Sequence, residues 1–171
     1  EFIEEVKTGV PINKADPSLV ITDDDCKVIV EKGCNTTREK AMIDVLHESG
    51  CRAGEFLNIK LRDIQIRDTH AEIRLDGKTG VRTIFLTRSL PNLLKWIDIH
   101  PFKDDTNSFL WLWQSHSQMN EPMKHRATMK LVAKCVGRSE LKKKKNLHWF
   151  RHSRATILAP KMTTPMLCKF M

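Results

Sequence analysis

The hydrophobic period of this chain changes in its middle and then changes back. Ile64 and Ile66, then Ile73 and Leu75, alternate with polar neighbours, the two-residue repeat of a strand with one buried face. Asp76-Gly77-Lys78-Thr79-Gly80 is a tight-turn sequence, and Val81 to Thr87 resumes the extended pattern. The reading is three short antiparallel strands with Lys78 at the tip of the second hairpin. Spacing on both sides is helical, so the expected class is α+β, mainly α-helical, around a small three-stranded antiparallel sheet.

Thr22 is placed to cap a first helix that opens with Asp23, Asp24 and Asp25, turns Val28 and Ile29 inward and stops at Gly33. Thr36 and Glu39 have capping-box spacing ahead of a helix with Met42, Ile43, Val45 and Leu46 on its apolar side and Gly50 as its stop. A short helix through Glu55, Phe56 and Leu57 follows. After the strands, Leu90, Leu93, Leu94 and Ile97 form an apolar helical stripe. Phe109 to Trp113 is apolar without a clear period. Asn120 and Pro122 are read as starting a helix that buries Met129, Val132, Ala133 and Val136 and ends at Gly137. A further helix begins near His148, runs to Leu158 and is stopped by Pro160. Thr163 or Thr164 caps the last one, with Met166, Leu167, Phe170 and Met171 as its apolar stripe. Residues 1–20 read as a linker remnant and 21–171 as one domain. Glu1 in place of a starting Met, and a stripe broken off at Met171, predict a piece of a longer protein.

Lysine and arginine number 29 against 21 aspartates and glutamates, a net charge of +8, which favours a polyanionic partner. No run approaches the ~18 apolar residues of a membrane span and no secretory signal opens the chain, so an intracellular protein is expected. The five cysteines have neither Cys-x-x-Cys nor zinc-ligand spacing and read as reduced thiols, Cys168 included as a packing residue. No metal and no cofactor is expected. Tyrosine is absent.

Three cationic features remain: Arg52 just after a helix stop, Lys78 on a hairpin tip, and His148 with Arg151 one helical turn apart. Singly, each has an ordinary reading as a cap, a solvated turn or a structural hydrogen-bonder. As an ordered set they are far more specific. His-Glu-Ser-Gly-Cys-Arg-Ala-Gly-Glu-Phe-Leu (47–57), followed by Ile-Lys-Leu-Arg-Asp-Ile (59–64), resembles the first arginine box of tyrosine recombinases of the phage-integrase type. Gly77-Lys78-Thr79 is similar to their lysine turn, and Leu-His-Trp-Phe-Arg-His-Ser-Arg-Ala-Thr (147–156) to their His-x-x-Arg box.

The resemblance implies the recombinase catalytic core and a site acting on double-stranded DNA. Arg52 and Arg151 would clamp the non-bridging oxygens of a scissile phosphate, a task suited to planar, always-charged forks. Lys78 would protonate the leaving 5′-oxygen. His148 would hydrogen-bond the phosphate and assist proton transfer. Glu55 would orient Arg52, and His152 would be structural. Lys142, Lys143, Lys144 and Lys145, with Lys124, Arg126 and Lys130, are candidate DNA contacts. Such a site stabilises transition-state charge with preorganised cations and needs no metal. The family's third box and nucleophilic tyrosine would follow the segment matching Met166 to Met171, so strand transfer through a 3′-phosphotyrosine would need residues absent here. The resemblance also implies self-association on DNA, as a tetramer of the full-length protein, in the cytoplasm or nucleoid of a prokaryotic host. A recombinase-derived DNA-binding module without catalysis, and a type IB topoisomerase-like enzyme, stay open as alternatives.

Overall fold

The computed structural model describes residues 17–77, 80–113 and 121–171. Helix α1 (Asp23–Val28) starts where its capping residues place it: Asp25 N–H donates to Thr22 Oγ1 at 3.1 Å, and Thr22 N–H to the Asp25 carboxylate at 2.8 Å. It widens into a π-helical turn at Ile29–Gly33. Helix α2 (Thr37–Ser49) is the central pillar, buried at every residue from Ala41 to Ser49. Its predicted box is half formed. Glu39 N–H donates to Thr36 Oγ1 at 3.1 Å, but the Glu39 carboxylate turns instead to Asn35 N–H at 2.7 Å and Arg138 at 3.1 Å.

Short helix α3 (Ala53–Leu57) leads to the sheet, in which β1 (Ile64–Ile66), β2 (Ala71–Gly77) and β3 (Gly80–Leu86) pair antiparallel in the order β1-β2-β3. The alternation read from the sequence sets the faces. Ala71, Ile73, Leu75, Ile84 and Leu86 point into the core, while Val81 and Phe85 face outward. The β2–β3 ladder closes at Gly77 opposite Gly80. Lys78 and Thr79, between them, lie outside the described residues.

Helix α4 (Leu90–Asp98) is anchored from below by Glu48 of α2, whose carboxylate accepts the backbone N–H groups of Thr87, Arg88 and Ser89 at 3.0, 3.0 and 2.8 Å. Burial alone would raise this carboxyl's pKa, but the Ser89 hydroxyl, donating at 2.6 Å, and these backbone bonds outweigh it and lower the value. The α4 stripe differs from the expectation: Leu90, Leu93 and Trp96 are buried and Leu94 is outside. Trp96 takes the inner place because its Nε1–H reaches the Leu110 carbonyl at 2.9 Å, while Leu94 sits about 100° around the helix from Leu93.

Helix α5 (His125–Arg138) starts later than Pro122 and runs one residue past Gly137. Pro122 is held in an extended bridge with Leu112, and Met123 N–H donates to Trp111 O at 2.8 Å, so the chain cannot turn helical there. Asn120 lies outside the described residues. The buried stripe of α5 is Thr128, Val132, Cys135 and Val136, with Met129 and Ala133 only half buried. The apolar run at Phe109 to Trp113 is extended, bridged at Phe109 to Lys60, and delivers Trp111 to stack on Phe56 at 4.9 Å.

Helices α6 (Leu147–Leu158) and α7 (Thr164–Phe170) complete the described chain. α7 buries none of its residues, and both Met166 and Cys168 are exposed. The expectation of a packed Cys168 is therefore corrected: α7 runs over the surface, so its thiol meets solvent. The other four cysteines are buried and unpaired. No helix among the described residues is long and apolar enough to cross a membrane.

Candidate active site

The site grows from the end of α2. Gly50 closes that helix in the left-handed conformation, with φ of 56°. A side chain there would also run into Arg154 of α6, which packs directly over the turn. Two residues on, Arg52 is the N-cap of α3. Glu55, at the third helical position, accepts the Arg52 backbone N–H at 2.9 Å and its Nη1 at 3.1 Å. One carboxylate thus caps the helix and holds the guanidinium, which explains the three-residue spacing of Arg52 and Glu55.

Glu55 also holds a residue the sequence reading missed. Arg82 of β3 donates Nη1 and Nη2 to the two Glu55 oxygens, both at 2.8 Å. The Glu55 side chain is only 3% exposed. Burial would raise its pKa, but the bonds from Arg82 and from the Arg52 backbone and side chain override it and bring the value down to about 2. The missed signal was the strand period: Arg82 shares the face of Ile84 and Leu86, and a charge on the buried face of a strand asks for a partner. The base of the β2–β3 hairpin presses on the same carboxylate, since a Cβ on Gly77 would overlap Glu55 Oε1. Lys78 itself lies outside the described residues.

Helix α6 brings the second box onto this turn. Asn146 caps it, accepting Trp149 N–H at 2.8 Å. Arg151 Nη1 donates to the Gly50 carbonyl at 2.9 Å, which seats Arg151 beside Arg52. Burial, and then the charge of Arg52, lower the pKa of Arg151. His148 lies one turn earlier on the same face and is exposed. Arg52, His148 and Arg151 line one cleft of about 660 Å³, together with His125, Lys144 and Asn146. The cleft was not legible at His125, which opens α5 far away in sequence.

His152 does not line this cleft but a neighbouring hollow that it shares with His148 and Arg151, its ring 4.8 Å from that of Trp149 and its Nε2 buried with no hydrogen-bond partner. The loop lysines divide. Lys144 sits over the Trp149 ring at 3.9 Å and lines the cleft. Lys142 and Lys145 are exposed. Lys143 is committed inward, to the Ser18 and Val20 carbonyls, both at 2.7 Å, and to Asp25 at 3.0 Å. It straps its loop to the chain at 18–20 and to Asp25, which leaves its ammonium turned inward, unlike Lys142 and Lys145. Lys124, Arg126 and Lys130 are exposed in and before the first turns of α5. Among the described residues no group of three or more His, Cys, Asp or Glu side chains could hold a metal ion.

Residues 20–167 match the model of the phage integrase family. The chain is 23% identical over 140 residues to transposase A from transposon Tn554 of Staphylococcus aureus, covering 73% of this chain and 37% of the relative. It is 28% identical over 130 residues to the tyrosine recombinase XerH of Campylobacter jejuni, covering 74% and 35%. The chain therefore spans little more than a third of the length of these curated relatives. Its fold matches a crystal structure of the XerH site-specific recombinase bound to difH substrate, a pre-cleavage complex, with a TM-score of 0.71 at 20% identity, over 90% of this chain and 46% of that one. With the family model spanning nearly all of the described chain, and the two arginine boxes meeting in one cleft, this chain belongs to the phage integrase family.

Proposed function

We propose that the chain is the catalytic region of a site-specific DNA recombinase that cuts and rejoins duplex DNA through a 3′-phosphotyrosine intermediate, in DNA integration and recombination. The observation that carries this is the convergence of Arg52, before α3, with His148 and Arg151, both on α6, on one cleft. A scissile phosphate seated there receives two guanidiniums on its non-bridging oxygens. His148, on the open side of α6, hydrogen-bonds the phosphate and assists proton transfer. Lys78, on the hairpin whose base touches Glu55, gives its proton to the leaving 5′-oxygen. The attacking phenol gives up its proton to His148 and bonds to phosphorus as the bond to the 5′-oxygen breaks. It comes from a tyrosine outside these 171 residues, none of which is tyrosine. The clamp is cationic side chains alone, so the chemistry needs no metal. Lys124, Arg126, Lys130, Lys142, Lys144 and Lys145 carry the flanking duplex, the working form is a tetramer on DNA, and the setting is the cytoplasm or nucleoid of a prokaryotic cell.

The test is to incubate the full-length protein with a pool of nicked random-sequence duplexes and look for a covalent adduct that survives detergent. A sequence-selective adduct, lost at least about a hundredfold in Arg151→Ala, is expected. Binding without adduct would identify a non-catalytic DNA-binding module. Adduct without sequence choice, together with relaxation of supercoils, would identify a topoisomerase-like enzyme.

A further inference from the structure

Arg52, Glu55 and Arg82 form a charge triad, and the third member has no part in the phosphate clamp described above. Arg82 spends Nη1 and Nη2 on the two oxygens of Glu55, and its Nε donates to the Phe170 carbonyl at the end of α7 at 3.0 Å. Arg82 is 13% exposed against 41% for Arg52. The more buried arginine grips the carboxylate through two nitrogens, while the side chain of Arg52 meets it through Nη1 and borders the cleft.

We propose that Arg82 is a positioning residue for strand cleavage: by neutralising Glu55 it leaves the charge of Arg52 for the DNA phosphate. This rests on the recombinase reading. Two guanidiniums and one ionised carboxylate leave the triad a net charge of +1. Without Arg82, Glu55 and Arg52 cancel, and the half of the clamp built on Arg52 presents no net charge to a phosphate. The Glu55 oxygens cap α3 and aim Arg52, an acceptor role that a glutamine oxygen at position 55 can also fill. Arg82 lets that carboxylate aim the arginine without consuming its charge. The anchor on Phe170 holds Arg82 in the β3–α7 seam and off the phosphate, which is why it acts through Glu55 and not on the reacting atoms.

Single-turnover adduct formation by the full-length protein, on the duplex recovered in the nicked-DNA test, measures this. Arg82→Gln removes the charge and is expected to slow adduct formation roughly thirtyfold, the scale of one unit charge lost several ångströms from the phosphate. Arg82→Lys keeps the charge and should retain most of the rate. The distinguishing variant is Arg82→Gln combined with Glu55→Gln. It restores a net charge of +1 and should recover much of the rate lost in Arg82→Gln; because relief of a buried unpaired carboxylate would also restore folding, the urea midpoints of the variants are measured alongside, and a rate that follows net charge while the folded fraction stays constant is what a purely structural role would not produce. A double variant slower than the single one, or Arg82→Lys as slow as Arg82→Gln, overturns the proposal. If Arg82→Gln does not fold, the double variant, which leaves no unpaired carboxylate in the site, is read directly against wild type, and a loss beyond roughly a hundredfold overturns it. If the wild-type protein forms no adduct, the recombinase reading falls and takes this proposal with it. Wild-type adduct with an indifferent Arg82 sinks the proposal alone.

Discussion

Replacing Glu55 by glutamine keeps the shape of the side chain and removes its charge, leaving Arg82 and Arg52 without a counter-ion. The magnitude follows from the carboxyl's own titration. A pKa of about 2 in place of the ordinary 4.5 corresponds to about 3 kcal/mol of folded-state preference for the ionised form. The known cost of breaking a buried ion pair, ~3–5 kcal/mol, has the same scale. Arg52 is partly exposed and water takes up some of its charge, so about 2–3 kcal/mol is expected for Glu55→Gln at pH 7. The pH dependence is the sharper part. Above the unfolded pKa near 4.5 both states carry the charge, and the contribution is complete. As pH falls from there toward 2, the unfolded chain takes up a proton that the folded one refuses, and the contribution drains away. Urea unfolding followed by circular dichroism, from pH 7 down to pH 3, should therefore show a wild-type advantage that is constant above about pH 5 and shrinks below it. Other carboxylates titrate in the same range, but they cancel in the difference between the two proteins. A gap that stays constant down to pH 3, or no gap at pH 7, would refute the assignment of Glu55 as the ionised hub of the site.

Two further outcomes follow from the same segment. Gly50→Ala must place a side chain at a φ of 56°, where only glycine is at ease, and against Arg154. A loss of about 1–3 kcal/mol is expected in urea unfolding, with DNA cleavage reduced because Arg151 hangs on the Gly50 carbonyl. His47 is fully buried, with Nε2–H donating to the Ile21 carbonyl and Nδ1 accepting from Arg88, both at 2.9 Å. Burial, chiefly, lowers its pKa to about 4. Its contribution is complete above pH 6.5 and is lost as pH falls toward 4, so His47→Gln should flatten the stability profile in that window, as urea midpoints would show, and an unchanged slope would count against a neutral buried imidazole.

How much of this was legible in the residues depended on whether the signal was local. The three strands could be read because a two-residue period and a glycine-bounded turn are short-range features, and the registers through Ile73 and Ile84 bear them out. The Thr22 and Gly50 boundaries could be read for the same reason. The misses share one cause, which is tertiary contact overruling local pattern. Pro122 looks like a helix start until a strand-like bridge to Leu112 claims it. Leu94 fits the apolar stripe until Trp96 finds the Leu110 carbonyl. Lys143 reads as one of four equivalent loop lysines until the chain near Val20 passes under it. The site shows the same division. Arg52, Glu55, His148 and Arg151 lie in two compact boxes whose internal spacing already carries their geometry. Arg82 lies in neither box, and its guanidinium meets Glu55 only because β3 folds back beside α3. Yet it left a trace, a charge in phase with Ile84 and Leu86 on the core side of a strand. A polar residue that breaks the binary pattern where burial is certain has to be paid for by a partner, and beside a cleft lined by arginines that partner is worth seeking among the ionised groups first.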